Sequence, residues 1–324
     1  MDPAASNFRV IGRGSCGTIF SMPCSEVAHK KGNDTDALWN DFLLSNRMVA
    51  SMSNAELYLQ DAERAKTRNF LRTPRCYKFI GEIRGRDWWA TNQSRFAYNP
   101  EYVDDNKPST IFELERILPV PGTLRRRLAQ MFMPEEIAEE ILKDPTAEAC
   151  LVRLYFGKLM PTQGPDTLLN FELHLGQMER FGMDNERIEA LVSEMALGLA
   201  VAHWEAKIDC RDVEFVLGAD THIWILDFDK ARSLEYDDID LMDKLKAGTM
   251  GNDPYFPSPV GGSQRERTVW KIFEEAYLET SKAILKYKEV DRRFRKLPEK
   301  FIKAWKAQAN DNKRAEEAGE DFFE

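Results

Sequence analysis

Three glycines, one lysine and four acids are the residues whose types and spacing could do chemistry in this chain. Gly12, Gly14 and Gly17 stand in a G-x-G-x-x-G pattern within FRVIGRGSCGTIF. A backbone without Cβ atoms at such points can approach a phosphate closely and turn its N–H groups toward it. Lys30 follows in Val27-Ala28-His29-Lys30, where an ammonium would pair with phosphates so cradled. Far along the chain, Asp212 closes Cys210-Arg211-Asp212, Glu214 comes two residues later, and Asp227 and Asp229 flank Phe228. Carboxylates can remove a proton, hold a divalent cation or pair with a cationic substrate.

The elements around these residues decide which chemistry applies. Residues 8–20 read as a β-hairpin with a glycine turn, and residues 26–30 as a third strand. Residues 36–52 have helical periodicity, with Leu38, Phe42, Leu43 and Met48 apolar. Strands are expected at 76–83, 109–118 and 150–158, with a polar, basic stretch around a short helical patch at 119–144. Residues 184–205 predict an amphipathic helix with Ile188, Leu191, Met195, Leu199 and Ala202 on one stripe. VEFVLG and HIWILDFD read as two short strands around Gly218-Ala219-Asp220. From Arg265 onward the pattern is helical. A β-rich first half before a helical second half predicts an α+β, two-lobed architecture, with lobes at 1–118 and 119–314 and an acidic, frayed tail at 315–324. There is no internal repeat.

Dinucleotide folds place G-x-G-x-x-G after one strand and before a helix. Here it lies between two strands, the arrangement of the hairpin over the phosphates in protein kinases. The lysine on the next strand, an aspartate after a long helix and an aspartate on the following hairpin come in kinase order. The chain therefore predicts a protein-kinase-like fold with a β-rich N-lobe and a helical C-lobe. It departs at the metal. Leu217 stands where a kinase has a metal-binding asparagine, Asp229 replaces the glycine of DFG, and residues 36–52 offer Lys30 an Asp41 but no glutamate. Leucine has no oxygen for Mg²⁺. Three readings stay open: an atypical small-molecule or protein phosphotransferase in which Asp229 supplies the missing ligand, a pseudokinase binding module, and a cleft turned to other chemistry.

Composition narrows the setting. Lys and Arg number 45 against 54 Asp and Glu, a net charge of −9, which argues against indiscriminate nucleic-acid binding, DNA included, while allowing a local basic face. No apolar run approaches the roughly 18 residues of a membrane span. The beginning MDPAASNF has neither a basic nor an apolar segment of a secretory signal. The five cysteines are scattered and the four histidines form no metal-type pair. No zinc site, other metal or disulfide framework is expected, and a reducing cytoplasm is.

The segments HWEAKIDCRDVEFVLG, WILDFDKAR and NDPYFP, with LERILP upstream, resemble a fungal family labelled as a zinc-finger domain of unknown function, known as arginine-containing cyclodipeptide synthases. The resemblance runs from about Phe8 to about Leu285. It implies an enzyme of secondary metabolism, an aminoacyltransferase. Such an enzyme takes amino acids from aminoacyl-tRNAs, arginyl-tRNA among them, and releases a cyclic dipeptide, a diketopiperazine, without a cofactor. The residues suit that task. An aminoacyl ester is already activated, so neither ATP nor a second metal is needed. A guanidinium matches a carboxylate bidentately. Asp212, Glu214, Asp227 and Asp229 are the expected catalytic acids. Gly12, Gly14, Gly17 and Lys30 are expected on the terminal phosphates of the tRNA, with Tyr255 of NDPYFP lining the cleft or packing.

A tRNA partner needs a basic surface. Candidates are Arg125, Arg126 and Arg127, with Arg292, Arg293, Arg295 and Lys296. The second group lies in a run, 282–314, where Tyr287, Phe294, Phe301 and Trp305 are interleaved with lysines and arginines. That run reads either as a helix with inward aromatics and solvated lysines or as a phosphate-backbone surface. His203 reads as a core or capping histidine. Cys16 could be a nucleophile only if something lowered its pKa.

Overall fold

Apolar, β-prone residues on both sides of the glycine turn form β1 (Arg9–Gly14) and β2 (Gly17–Ser21), paired antiparallel. The computed structural model describes residues 7–59, 70–81, 85–96, 107–161, 165–220, 222–252 and 254–318. β3 (Val27–Gly32), β4 (Cys76–Ile80) and β5 (Thr110–Glu115) complete a five-stranded antiparallel sheet of order β1-β2-β3-β5-β4. Lys30 is paired with Phe112 across the β3–β5 ladder. Helix α1 (Thr35–Leu59) crosses this sheet, and the short α2 (Arg86–Asn92) closes one end of it.

Helix α1 belongs to two cores. Leu38 packs with Cys76 and Phe112 beneath the sheet. Leu44, Met48 and Met52 lie in the larger core of the C-terminal region. The polar residues between, Asn40 and Asp41, are thereby held at the junction.

The C-terminal region is mainly helical. After β5 come α3 (Gly122–Phe132) and α4 (Glu135–Lys143), two helices where one short patch was expected. β6 (Val152–Tyr155) pairs parallel with β7 (Phe171–His174) and antiparallel with β8 (Glu214–Leu217), which pairs with β9 (Ile223–Leu226). β7 was not anticipated, because FELH is four residues long and runs straight into α5 (Leu175–Arg180). Helices α6 (Asn185–Val201), α7 (Leu241–Met250), α8 (Gln264–Tyr287) and α9 (Leu297–Ala318) build the rest. The whole is a mixed α+β structure with a β-sheet N-terminal region and a helical C-terminal region. No helix among the described residues is long and apolar enough to cross a membrane.

Helix α6 corrects the expected stripe. Residues 194–201 are all buried, because the helix runs between α1, α8 and β9. Its Gly198 leaves room for the side chain of Leu71. It passes into a π-turn, Ala202–Ala206. There the Tyr277 hydroxyl accepts from Trp204 Nε1 at 2.9 Å and lies 2.9 Å from His203 Nδ1. Burial pushes His203 down to about 3, so the ring is neutral and takes one end of this hydrogen bond with Tyr277. His203 is thus a core residue. The run 282–314 is broken by turns at 288–296, and Phe294, Phe301 and Trp305 pack inward while Tyr287 is exposed. The strand expected at 76–83 ends at Ile80. Residues 82 and 83 of that expected strand and the end of the chain from 319 lie outside the described residues, as do residues 64–69 of a basic stretch at 64–86.

Glu194 carries a cost inside α6. Its Oε1 accepts from the Ile223 N–H of β9 at 2.9 Å, while Oε2 is buried with no hydrogen-bond partner among the described residues. Burial raises this carboxyl from 4.5 to about 7. Between these values the folded state holds a proton that the unfolded state has lost, so stability falls as pH rises. The loss is on the order of 3 kcal/mol. Urea denaturation at several pH values should show this slope between about 4.5 and 7, and Glu194→Gln, which keeps the acceptor for Ile223, should flatten it.

Candidate active site

Strand β3 carries Lys30 into the junction between the sheet and the helical region, where it is 5% exposed. Its Nζ lies 2.6 Å from Asp41 Oδ2, 2.5 Å from Asp227 Oδ1 and 4.0 Å from Asp229 Oδ2. Burial alone would lower the Lys30 ammonium, but the charges of Asp41, Asp227 and Asp229 outweigh it and hold it well above the usual lysine range. The partner anticipated as a glutamate is Asp41, whose shorter side chain reaches because α1 lies close on the sheet.

Asp41 also fixes the segment that carries the other two acids. Its Oδ1 accepts from the Phe228 N–H at 2.9 Å and from Ser45 Oγ at 3.2 Å. Next to it, Asn40 Nδ2 donates to the carbonyls of Phe228 and Asp229 at 3.0 Å and of Ala231 at 2.8 Å. Asp227 itself has φ 66°. Lys207, Cys210 and Asp212 share this left-handed region. Each such non-glycine residue costs of order 1–3 kcal/mol, less for aspartate, and clusters of them mark functional segments.

The glycines divide their work. A Cβ on Gly17 would collide with the Lys31 carbonyl, and one on Gly32 with the Cys16 carbonyl, so this pair lets the hairpin turn lie on β3. Gly14 faces Asp227: a Cβ there would stand 3.9 Å from Asp227 Oδ2. Gly12 packs on Ile19. Beneath the hairpin is a cleft of about 120 Å³. Ile11, Ile19, Phe112, Leu114 and Leu226 give it an apolar wall, while two cations, Arg13 and Lys30, and four carboxylates, Asp41, Glu115, Glu214 and Asp227, supply its charges.

The structure separates the four anticipated acids. Asp227 and Glu214 line the cleft, with Glu214 ion-paired to Arg153. Asp229 is buried beside Lys30. Asp212 does not line the cleft; its side chain is 47% exposed and pairs with Lys230 at 2.5 Å. A residue that the motif reading passed over, Asp209, stands five positions before Glu214. It is fully buried, accepts from the Arg211 and Arg232 backbone N–H groups at 3.1 and 2.8 Å, and binds Arg232 Nε at 2.6 Å. Both its oxygens are committed, so it anchors the loop. The spacing Asp209 to Glu214 was the available signal, since it ends on an oxygen-bearing residue where Asp212 leads to Leu217.

The remaining expectations find the following places. Tyr255 is 1% exposed, its ring against Tyr155 and Phe215 at 4.8 and 5.6 Å, so it packs behind the cleft instead of lining it. Its neighbour Asn252 donates to the Val213 carbonyl at 2.9 Å and braces the loop; Asp253 is outside the described residues. Burial and a bond to Asp229 push the Cys16 thiol up, the wrong direction for a nucleophile. Of the basic candidates, Arg125 donates to Ala147 O, Arg127 to Phe181 O and Arg295 to Val290 O, at 3.1, 2.7 and 2.8 Å. Arg293 stacks on Phe294 and pairs with Asp291. Arg126, Arg292 and Lys296 are exposed. No group of His, Cys, Asp and Glu able to hold a metal occurs among the described residues.

A family model described as "zinc finger protein" matches residues 223–289. That segment contains neither cysteine nor histidine, so the ligands of a zinc finger are missing from it. Among curated proteins none matches the chain. The matched segment holds Asp227 and Asp229, whereas their counter-ion comes from β3, outside it. Lys30→Met should leave three carboxylates facing one another and lower stability by roughly 3–5 kcal/mol. Combined with Asp41→Leu, part of the loss should be recovered; strictly additive losses in urea denaturation would show that the two do not interact.

Proposed function

We propose that this chain is an aminoacyl-tRNA-dependent cyclodipeptide synthase that builds an arginine-containing cyclic dipeptide in a cleft of protein-kinase-like layout, with lobes at 1–118 and 119–314. The observation that carries the reading is the charge of the cleft floor. One ammonium faces three carboxylates, and Glu214 is balanced by Arg153. The excess negative charge suits a cationic substrate, and a guanidinium fork or an α-ammonium supplies one. The resemblance of HWEAKIDCRDVEFVLG, WILDFDKAR and NDPYFP to the arginine-containing cyclodipeptide synthases supports the same reading.

In this mechanism, Asp227 and Glu214 receive the cationic groups of the substrate. A carboxylate takes the proton from the α-ammonium of one aminoacyl group. The freed amine attacks the ester carbonyl of the other, the C–O bond to the tRNA breaks, and the departing ribose oxygen takes up a proton. The second amine then attacks the remaining ester, which closes the ring and frees the second tRNA. Lys30 holds Asp41 and Asp227 in place, and the N–H groups of the hairpin at Gly12, Gly14 and Gly17 meet the terminal phosphates. Exposed Arg126, Arg292 and Lys296 offer contacts for the tRNA backbone.

A second reading has an observation of its own. The Lys30–Asp41 pair beside an apolar wall is also what an atypical phosphotransferase would use to hold a nucleotide. The two readings part on products. Expression in a microbial host followed by mass spectrometry should yield an arginine-containing cyclic dipeptide, lost in Asp227→Asn. Asparagine tolerates the left-handed backbone of that position, so the variant should fold. Micromolar, Mg²⁺-dependent ATP binding with phosphoryl transfer, and no such product, would establish the second reading instead.

Phosphate contacts release counterions, so tRNA affinity should fall with salt by roughly one unit of log K per log salt for each contact. Reversing Arg292 and Lys296 to glutamate should reduce that slope in filter binding and leave the melting temperature nearly unchanged. An unaltered slope would assign this turn to solvent.

A further inference from the structure

A groove on the far side of strand β1 has no part in the mechanism above. It encloses about 420 Å³. Arg9 of β1 and the turn after β2, at Met22 and Cys24, form one wall. The short 3-10 turn Pro145–Ala149 forms the other, with Thr146 and Glu148. Ile11 lines both this groove and the cleft. Arg116 closes the groove, and its chain neighbours Glu115 and Ile117 line the cleft. The two spaces are thus one strand apart, and β1 is the edge strand of its sheet.

The charged residues of the groove are Arg9, Arg116 and Glu148. Arg116 is half-buried and fixed in place. Its Nη1 donates to the carbonyls of Met22 and Ser25 at 3.4 and 3.2 Å, on either side of a turn that the Ser25 N–H closes on Met22 O at 3.1 Å. These acceptors are neutral, so they orient the guanidinium without balancing its charge. Its Nε is buried with no hydrogen-bond partner among the described residues. Burial lowers this guanidinium from its usual value, the direction expected of a cation that no adjacent carboxylate supports. Arg9 and Glu148 are exposed. No ion pair of Arg9, Arg116 or Glu148 occurs among the described residues. Two guanidinium charges against one carboxylate leave the groove one positive charge in surplus, on a chain whose net charge is −9.

We infer that this groove binds a phosphate group, with Arg9 and Arg116 as its counter-charges. A guanidinium presents parallel N–H donors that match phosphate oxygens. Arg116 is already oriented by the turn, so it gives up little freedom on binding. A phosphodiester carries one negative charge, which the surplus balances, and Glu148 disfavours phosphates of higher charge. In the synthase proposed above, the phosphodiester belongs to the tRNA backbone. The hairpin N–H groups meet the terminal phosphates on the cleft side of β1, and the same RNA strand passes around this sheet edge into the groove. That role rests on the proposed function; the phosphate site does not.

Filter binding of deacylated tRNA and calorimetric titration with inorganic phosphate test the assignment. Arg9→Gln and Arg116→Gln should each weaken tRNA binding about tenfold and lower its salt slope by roughly one unit of log K per log salt. Glu148→Gln should tighten it about threefold, a gain that a merely structural role of the groove would not produce. Circular dichroism checks folding; if Arg116→Gln loosens the turn it braces, the exposed Arg9 and Glu148 decide. Inorganic phosphate bound by the wild-type protein and lost in Arg9→Gln, with tRNA affinity unchanged, would uphold the phosphate site and overturn its RNA role. Unchanged binding of both probes in Arg9→Gln and Glu148→Gln would overturn the site. Products of the wild-type protein separate this from the proposed function. An arginine-containing cyclic dipeptide together with that unchanged binding sinks the groove alone. Phosphate or tRNA binding that depends on Arg9, with no cyclic dipeptide, upholds the groove and sinks the synthase.

Discussion

Taking the Lys30 ammonium out of water costs several kcal/mol unless carboxylates meet it at fixed distances, so three separate parts of the chain must be placed together. β3 sets the lysine, α1 sets Asp41, and the turn after β9 sets Asp227 and Asp229. None of these tolerates a shift of register. A one-residue slip in β3 would turn Lys30 to the other face of the sheet. A quarter-turn rotation of α1 would move Asp41 away and expose Leu38. The two hydrophobic cores that α1 joins are thus aligned by a group of polar contacts: Lys30 takes the Asp227 carboxylate, while Asn40 and Asp41 hold the backbone that follows it.

Much of this was legible in the sequence, because it depends on short-range patterns. The hairpin, the lysine strand, the first helix and the β8–β9 pair follow from alternation, periodicity and turn residues, and their order places Lys30 and Asp227 near each other. Asp41 was visible as the acid on the right helix. The roles of the other acids were not visible. Asp209 and Asp212 lie three residues apart in one loop, and only tertiary contacts decide that Arg232 and two backbone N–H groups claim the first while the second faces solvent. Tyr255 likewise looks like a cleft residue until Tyr155 and Phe215 are seen to enclose it.

The C-terminal region was less legible for a different reason. β7 is four residues long and owes its existence to a parallel partner, which no local pattern encodes. Helix α6 departs from a one-sided stripe because it is packed from several directions, so residues between its apolar positions are small or apolar as well. The exception is Glu194, a carboxyl buried for the sake of one β9 N–H. Arginines 125 and 127 illustrate the same limit for charge: a basic triplet reads as a surface for an anion, yet two of the three spend a donor on a backbone carbonyl of their own chain.

Asn40 donates to the carbonyls of Phe228, Asp229 and Ala231 in the segment after Asp227, and Asp41 accepts from the Phe228 N–H within it. These bonds join the helix and the acidic turn into one mechanical part. Neither can swing without the other, because separating them would strand several buried polar groups at once, each costing about 1–3 kcal/mol. A site built this way has little reorganisation left to do when a substrate arrives. In the synthase proposed above, throughput would then be governed by delivery and departure, because α1 cannot be displaced without the acidic turn that it holds.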